Sequence, residues 1–85
     1  MITSALVIFT MKDGRKYEIP CHRHANAFYI ISQFCKSDEI DKEKTWQGFI
    51  NHKGEYLDRL EARKDAFNWG QVEFNQGLLY SEDLW

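Results

Sequence analysis

The chain has 85 residues, a formal net charge of −2 and an aromatic content of 15%. This length predicts one domain, residues 1–85. The chain lacks the excess of basic residues that is typical of a nucleic-acid-binding protein. No apolar run is long enough to cross a bilayer, and residues 1–10 lack the features of a signal peptide. We therefore expect a cytoplasmic protein, with Cys21 and Cys35 as free thiols and with neither nucleic acid nor membrane as a partner.

The first part of the chain predicts a β-hairpin. Residues 3–11 are rich in β-branched and apolar residues, and Asp13-Gly14 separates them from a second extended run, residues 16–19. An Asp-Gly step between two extended runs is a strong hairpin signal. Pro20 is expected to end the hairpin.

A helix is predicted next, from Arg23 or His24 to about Cys35. Its apolar residues cover more than half of its circumference, which predicts burial on two sides. His24 lies on the apolar side, in line with Phe28 and Ile31. Residues 36–44 are mostly charged or polar and predict a loop or an exposed helical turn.

Two short strands and a second helix are predicted in the following part. Residues 45–51 and 55–57 favour strands, and Asp58 caps a helix that extends to Trp69, with Glu61 at the matching position of a capping box. Gly70 suits a left-handed C-terminal cap. The apolar residues of the tail, 71–85, predict that it docks on the domain.

These elements predict an α+β fold. It consists of a small antiparallel sheet, made of the N-terminal hairpin plus one or two central strands, with the two main helices packed on one face.

Arg59 and Arg63 occupy unusual positions in the second helix. At about 100° of rotation per residue, both share one side of the helix with its apolar residues, which are Leu60, Ala62, Ala66, Phe67 and Trp69. Like charges four residues apart repel, and the helix dipole disfavours a cation in the first turn. Residues that contradict several local preferences of a helix usually belong to a functional site or to a strained position. We infer that an anionic group meets these arginines, from this chain, a second copy or a ligand.

Three stretches resemble a group of small phage-encoded proteins. They are Arg23-His24 before an amphipathic helix, residues 47–50 with 54–62 (QGFI and GEYLDRLEA), and residues 79–85 (LYSEDLW). The usual motif has an acidic residue where this chain has Leu60, and often a second histidine where it has Ala25. The pattern is similar, more distantly, to phage anti-Thoeris proteins, which are dimeric sponges that hold cyclic ADP-ribose signals with arginines. That similarity implies phosphate-binding roles for Arg23 and Arg59. For a phage protein, the expected cytoplasmic location is the host cell.

The predicted ligand-binding residues are Arg23, His24, Phe49, Arg59 and Arg63. Two helix N-termini, each with an adjacent cation, would present free amides and positive charge to phosphates. Arginine also offers a bidentate fork for such groups. The structural alternative is internal pairing, for example of Arg59 with Glu55 or of Arg23 with Glu18.

The aromatic content predicts a homo-oligomer. One small core does not easily hide so many rings. The predicted interface residues are Trp46, Trp69, Tyr80 and Trp85. Trp46, Phe49, Tyr56 and Trp69 could instead stack on a nucleobase.

Metal and thiol chemistry have weaker signals. Cys21, His22, His24, Cys35 and His52 are potential zinc ligands, but the chain lacks a second paired cluster. A cysteine beside a histidine suits nucleophilic catalysis, but no orienting Asn or Asp is identifiable. We expect no catalytic residues, no metal and no cofactor.

The leading functional hypothesis is a non-enzymatic phage accessory, anti-defence protein. It would bind and sequester a small anionic, phosphate-bearing ligand, such as a nucleotide immune signal, as an oligomer. The alternative is a phage inhibitor that acts on a host protein through a protein–protein interface. A small hydrolase or thiol enzyme is the third hypothesis.

Overall fold

The computed structural model describes all residues of the chain, 1–85, as four strands and two helices. The strands are β1 (Ile2–Thr10), β2 (Lys16–Cys21), β3 (Trp46–Asn51) and β4 (Tyr56–Leu57), and the helices are α1 (His24–Ser32) and α2 (Arg59–Asn68). Single 3₁₀ turns cover Ser37–Glu39, Lys42–Lys44 and Ser81–Asp83. The sheet is antiparallel, with the order β2-β1-β3-β4. The predicted α+β class is confirmed, with two central strands after the hairpin.

The hairpin turns at Asp13-Gly14, as predicted. Gly14 has a φ of 94°, which glycine adopts at no steric cost. The expectation that Pro20 ends the hairpin is wrong, because β2 continues to Cys21 and pairs Pro20 with Leu6. β2 lies at the sheet edge, where a strand can do without one amide hydrogen, so a proline is tolerated there.

Both helices pack on one face of the sheet, as predicted. α1 covers β1 and β2, and α2 covers β1, β3 and β4. The buried cluster under α1 consists of Val7, Phe9, Met11, Ala27 and Ile31. The cluster under α2 and the tail consists of Ile2, Ala5, Phe49, Ala62, Ala66 and Leu79. The core is therefore divided into two small parts, one for each helix.

The ends of α2 follow its sequence signals. The Glu61 amide donates to Asp58 Oδ1 at 2.8 Å, and the Asp58 amide donates to Glu61 Oε1 at 3.2 Å, so the predicted capping box is present. Gly70 has a φ of 73°, as a left-handed cap requires. α1 ends at Ser32, before the predicted end at Cys35.

The other face of the sheet is covered by two aromatic side chains. The Trp46 ring lies over Gly48, where an added Cβ would collide with the ring and with the Leu57 carbonyl oxygen. Tyr56 stacks beside Trp46, and its hydroxyl donates to Glu18 on the opposite edge strand. Trp46 and Tyr56 thus cover this face in place of a helix.

None of the helices is both long enough and apolar enough to cross a membrane.

Candidate functional site

The tail, residues 71–85, returns along α2 and closes the cluster beneath it. The Ile2 amide donates to Gln71 Oε1 at 2.7 Å, and Gln71 Nε2 donates to the Ile2 carbonyl at 2.9 Å. Leu79 is fully buried, and its amide donates to the Arg59 carbonyl at 2.9 Å. The tail docks, as its apolar residues predict.

Arg59 holds the tail through hydrogen bonds and ring contacts. Its Nη1 donates to the Leu79 carbonyl at 2.9 Å, and its Nη2 donates to Gln47 Oε1 at 2.9 Å. The guanidinium carbon lies 5.0 Å from the centre of the Tyr80 ring and 5.9 Å from that of Phe49. Cation–π attraction from two rings stabilises a cation that the helix dipole disfavours.

Arg63 holds the same segment one helical turn later. Its Nη2 donates to the Leu78 carbonyl at 2.9 Å and to Asp83 Oδ2 at 3.0 Å. The side chain is 12% exposed, and its buried Nε has no hydrogen-bond partner in the chain. For Arg63 the inferred anionic group is therefore the Asp83 carboxylate of this chain. Arg59 meets no carboxylate and is held by neutral acceptors, the Leu79 carbonyl and the Gln47 side chain.

Arg23 lies at the start of α1 and is the least restrained of the three arginines. Its Nη1 is 3.9 Å from Glu82 Oε1, and both side chains are exposed. Exposed ion pairs of this kind contribute little to stability.

His24 is a buried, hydrogen-bonded core residue. Its Nε2 lies 2.9 Å from the Gly48 carbonyl oxygen, and its ring packs edge-on against Phe49 at 5.0 Å between centres. The His24 amide donates to the buried Ser81 hydroxyl at 3.4 Å. Burial lowers the pKa of His24 below its usual 6.5; the Gly48 hydrogen bond opposes this shift and Arg59 adds to it. The neutral ring donates its Nε2 proton to Gly48.

All the predicted ligand-binding residues surround the tail or the rings next to it. None of them lines a cavity of the molecule, because every surface cavity is formed by other residues. The suggested internal pairs are wrong: Glu55 accepts from Asn51, and Glu18 accepts from Tyr56. Arg59 donates instead to the carbonyl of Leu79, twenty residues away in sequence, and not to the nearby Glu55 that spacing alone suggests.

The predicted interface residues divide into two groups. Trp69 and Tyr80 are exposed. Trp46 is half-buried on the sheet, and Trp85 is half-buried with its ring stacked on His22 at 4.9 Å. The sequence reasoning missed Tyr29, which is 69% exposed on α1. The available signal was that residues 24–32 contain no Asp, Glu, Lys or Arg.

The thiols lie in apolar surroundings. Cys21 is half-buried, and burial raises the pKa of its thiol. A nucleophilic cysteine needs the opposite shift, since the thiolate is the reactive form. Cys35 lines an apolar cavity beside α1.

We expect Arg59→Ala to destabilise the protein by about 2 kcal/mol, because two hydrogen bonds from a charged donor are lost, one to the Leu79 carbonyl of the tail, which is left unpaired, and one to Gln47 of β3. Urea denaturation and hydrogen exchange at the Leu79 amide measure the two effects. Lys64→Ala, an exposed change in the same helix, serves as the control. Unchanged stability and unchanged exchange in Arg59→Ala would show that the arginine does not hold the tail.

We expect the free energy of unfolding to fall as the pH is lowered below about 6.5. The unfolded chain then binds a proton at His24 more readily than the native protein does, so the native state loses stability. Urea denaturation between pH 8 and 5 measures the trend. His24→Gln keeps a hydrogen-bond donor and removes the titration, so it should flatten the curve. Equal pH dependence in both proteins would contradict the assignment to His24.

The description "Phage T4 y16D protein" belongs to the family model that matches this chain, over residues 1–85. This match confirms the resemblance to small phage proteins. No curated protein and no solved structure matches the chain.

Proposed function

The chain belongs to the phage T4 y16D protein family, and we propose that it is a non-enzymatic accessory protein that binds a protein of the infected cell, in its cytoplasm. The observation that carries this proposal is the tail face, the surface formed by α2 and the adjoining tail. Its exposed large apolar side chains are Leu60, Phe67, Phe74, Leu78 and Tyr80. Trp69 is also exposed, but its ring packs edge-on against His52 and is not part of this face.

The tail face follows from how α2 and the tail pack together. Leu60 and Phe67 are seven residues apart, so they lie on one stripe of α2. The arginines hold the tail alongside the helix by its carbonyl groups. Leu79 is buried in the core, while its neighbours Leu78 and Tyr80 are exposed. Because Leu79 is buried in the core, the residues before and after it face solvent.

The composition of the tail face fits a protein partner. Tyr is enriched among the residues that dominate binding energy at protein interfaces, and this face exposes Tyr80 beside charged residues such as Lys64 and Glu82. Such a mixture of apolar and charged groups resembles the interfaces of non-obligate complexes. A small ligand usually needs a concave pocket, and none of Arg23, Arg59 and Arg63 lines a cavity.

We expect Tyr80→Ala to abolish capture of a specific host protein while Tyr56→Ala retains it. The two tyrosines are matched, with 50% and 53% of their surface exposed, but Tyr56 lies on the opposite face of the sheet. Affinity capture from host lysate would identify the candidate, and titration of the purified pair would measure binding. Equal binding by both variants, or no protein that binds the purified wild type, would refute this role for the tail face.

A second candidate function is sequestration of a small phosphate-bearing ligand, such as a nucleotide immune signal, as an anti-defence sponge. It is favoured by the buried Arg63 Nε, which has no partner, and by the loose pairing of Arg23 with Glu82. A phosphate that replaced the Asp83 carboxylate on Arg63 would satisfy the guanidinium bidentately. The tail would have to shift for the phosphate to enter.

For this second function, we expect a phosphate compound to raise the thermal midpoint of the wild type. A ligand at a hundred times its Kd contributes about 2.7 kcal/mol to stability. A panel of nucleotides, cyclic dinucleotides and cyclic ADP-ribose would be screened against wild type, Arg23→Ala and the control Lys64→Ala. Arg23 makes one distant contact, so its removal should abolish the shift without disturbing the tail. No shift across the panel would exclude this function.

A further inference from the structure

α1 carries large apolar side chains on its exposed side as well as on its buried side. His24, Ala27 and Ile31 are buried, whereas Phe28, Tyr29 and Ile30 are exposed, Tyr29 by 69% of its surface. Phe34 follows just after the helix and is also exposed. Large exposed apolar patches on small proteins mark interaction sites.

The exposed side of α1 carries no charge. Residues 24–32 contain no Asp, Glu, Lys or Arg, although such residues make up 28% of the chain. Surface helices normally keep charged residues on the side that faces water. The exposed side of α1 therefore combines large apolar side chains with uncharged polar ones such as Asn26 and Ser32.

A cavity of about 350 Å³ extends this surface. Half of its lining residues are apolar: Phe9, Phe28, Ile31, Cys35 and Ile40. The others are polar, and Lys42 is the only charged one among them. The volume is near the lower end of the range for pockets that hold small molecules. It is therefore large enough to receive a bulky side chain from a partner.

We propose that α1 packs against the α1 of a second copy of this chain, with the cavity at the edge of the contact. In a two-fold dimer the same patch meets itself, so a charged patch would bring like charges together and an uncharged one does not. Homodimer interfaces are also more apolar than transient ones. The cluster beneath α1 has only five buried residues, and a second copy supplies the cover that so small a core lacks.

This interface is separate from the tail face. The tail face mixes exposed aromatic rings with charged side chains, and α1 has none of those charges. The inference is argued from α1 alone, so it does not rest on the proposed function.

We expect the wild type to be a dimer by sedimentation equilibrium, and Tyr29→Glu to raise the dimer Kd at least about tenfold, because like charges across an interface oppose association. Phe74→Glu is the matched control, since Phe74 is 70% exposed and lies in the tail. It should leave the Kd unchanged. Circular dichroism melts check that both variants remain folded.

A mixture of Tyr29→Glu and Tyr29→Lys tests the contact of α1 with α1 directly. Each variant alone should be monomeric, and the mixture should dimerise again because opposite charges then meet. A wild type that stays monomeric from micromolar to near-millimolar concentration would overturn the proposal. So would dimerisation of Tyr29→Glu as tight as that of the wild type, or a mixture that stays monomeric.

Discussion

The rest of this structure depends on the hydrogen bonds that Arg59 and Arg63 donate to the tail. Both guanidinium groups donate to backbone carbonyls of the tail, and this brings Leu79 into the cluster beneath α2. The same contacts explain how α2 tolerates two cations on its apolar side. Carbonyl oxygens, one carboxylate and two aromatic rings supply the negative electrostatic potential that the helix N-terminus does not.

Docking of the tail also decides which surfaces remain open. On the α2 side, the tail covers the core and exposes Leu78 and Tyr80 beside the helix. On the α1 side no segment of the chain covers the helix, and its outer rings remain exposed. The two helices cover the same face of one sheet but differ in charge, because α2 carries several charged residues and α1 carries none. This difference is the physical basis for assigning them to different kinds of partner.

Much of the fold could be predicted because its signals are local. The Asp13-Gly14 turn, the Asp58 capping box and the Gly70 cap each depend on residues within a few positions of one another. Errors arose where a neighbour in space overrides a local preference. Pro20 is compatible with a strand because β2 lies at the edge of the sheet. Burial on two sides of α1 was predicted from its apolar circumference, but within one chain the sheet covers only one side.

The sequence by itself determined the elements, their packing on one face and the fact that two arginines near the start of α2 need acceptors. Only the tertiary structure decided which acceptors these are. Arg59 reaches a carbonyl 20 residues away and Arg63 one 15 residues away. Every residue carries a carbonyl group, so no side-chain pattern can identify such a partner. These carbonyl oxygens reach the arginines only because the folded tail runs alongside α2.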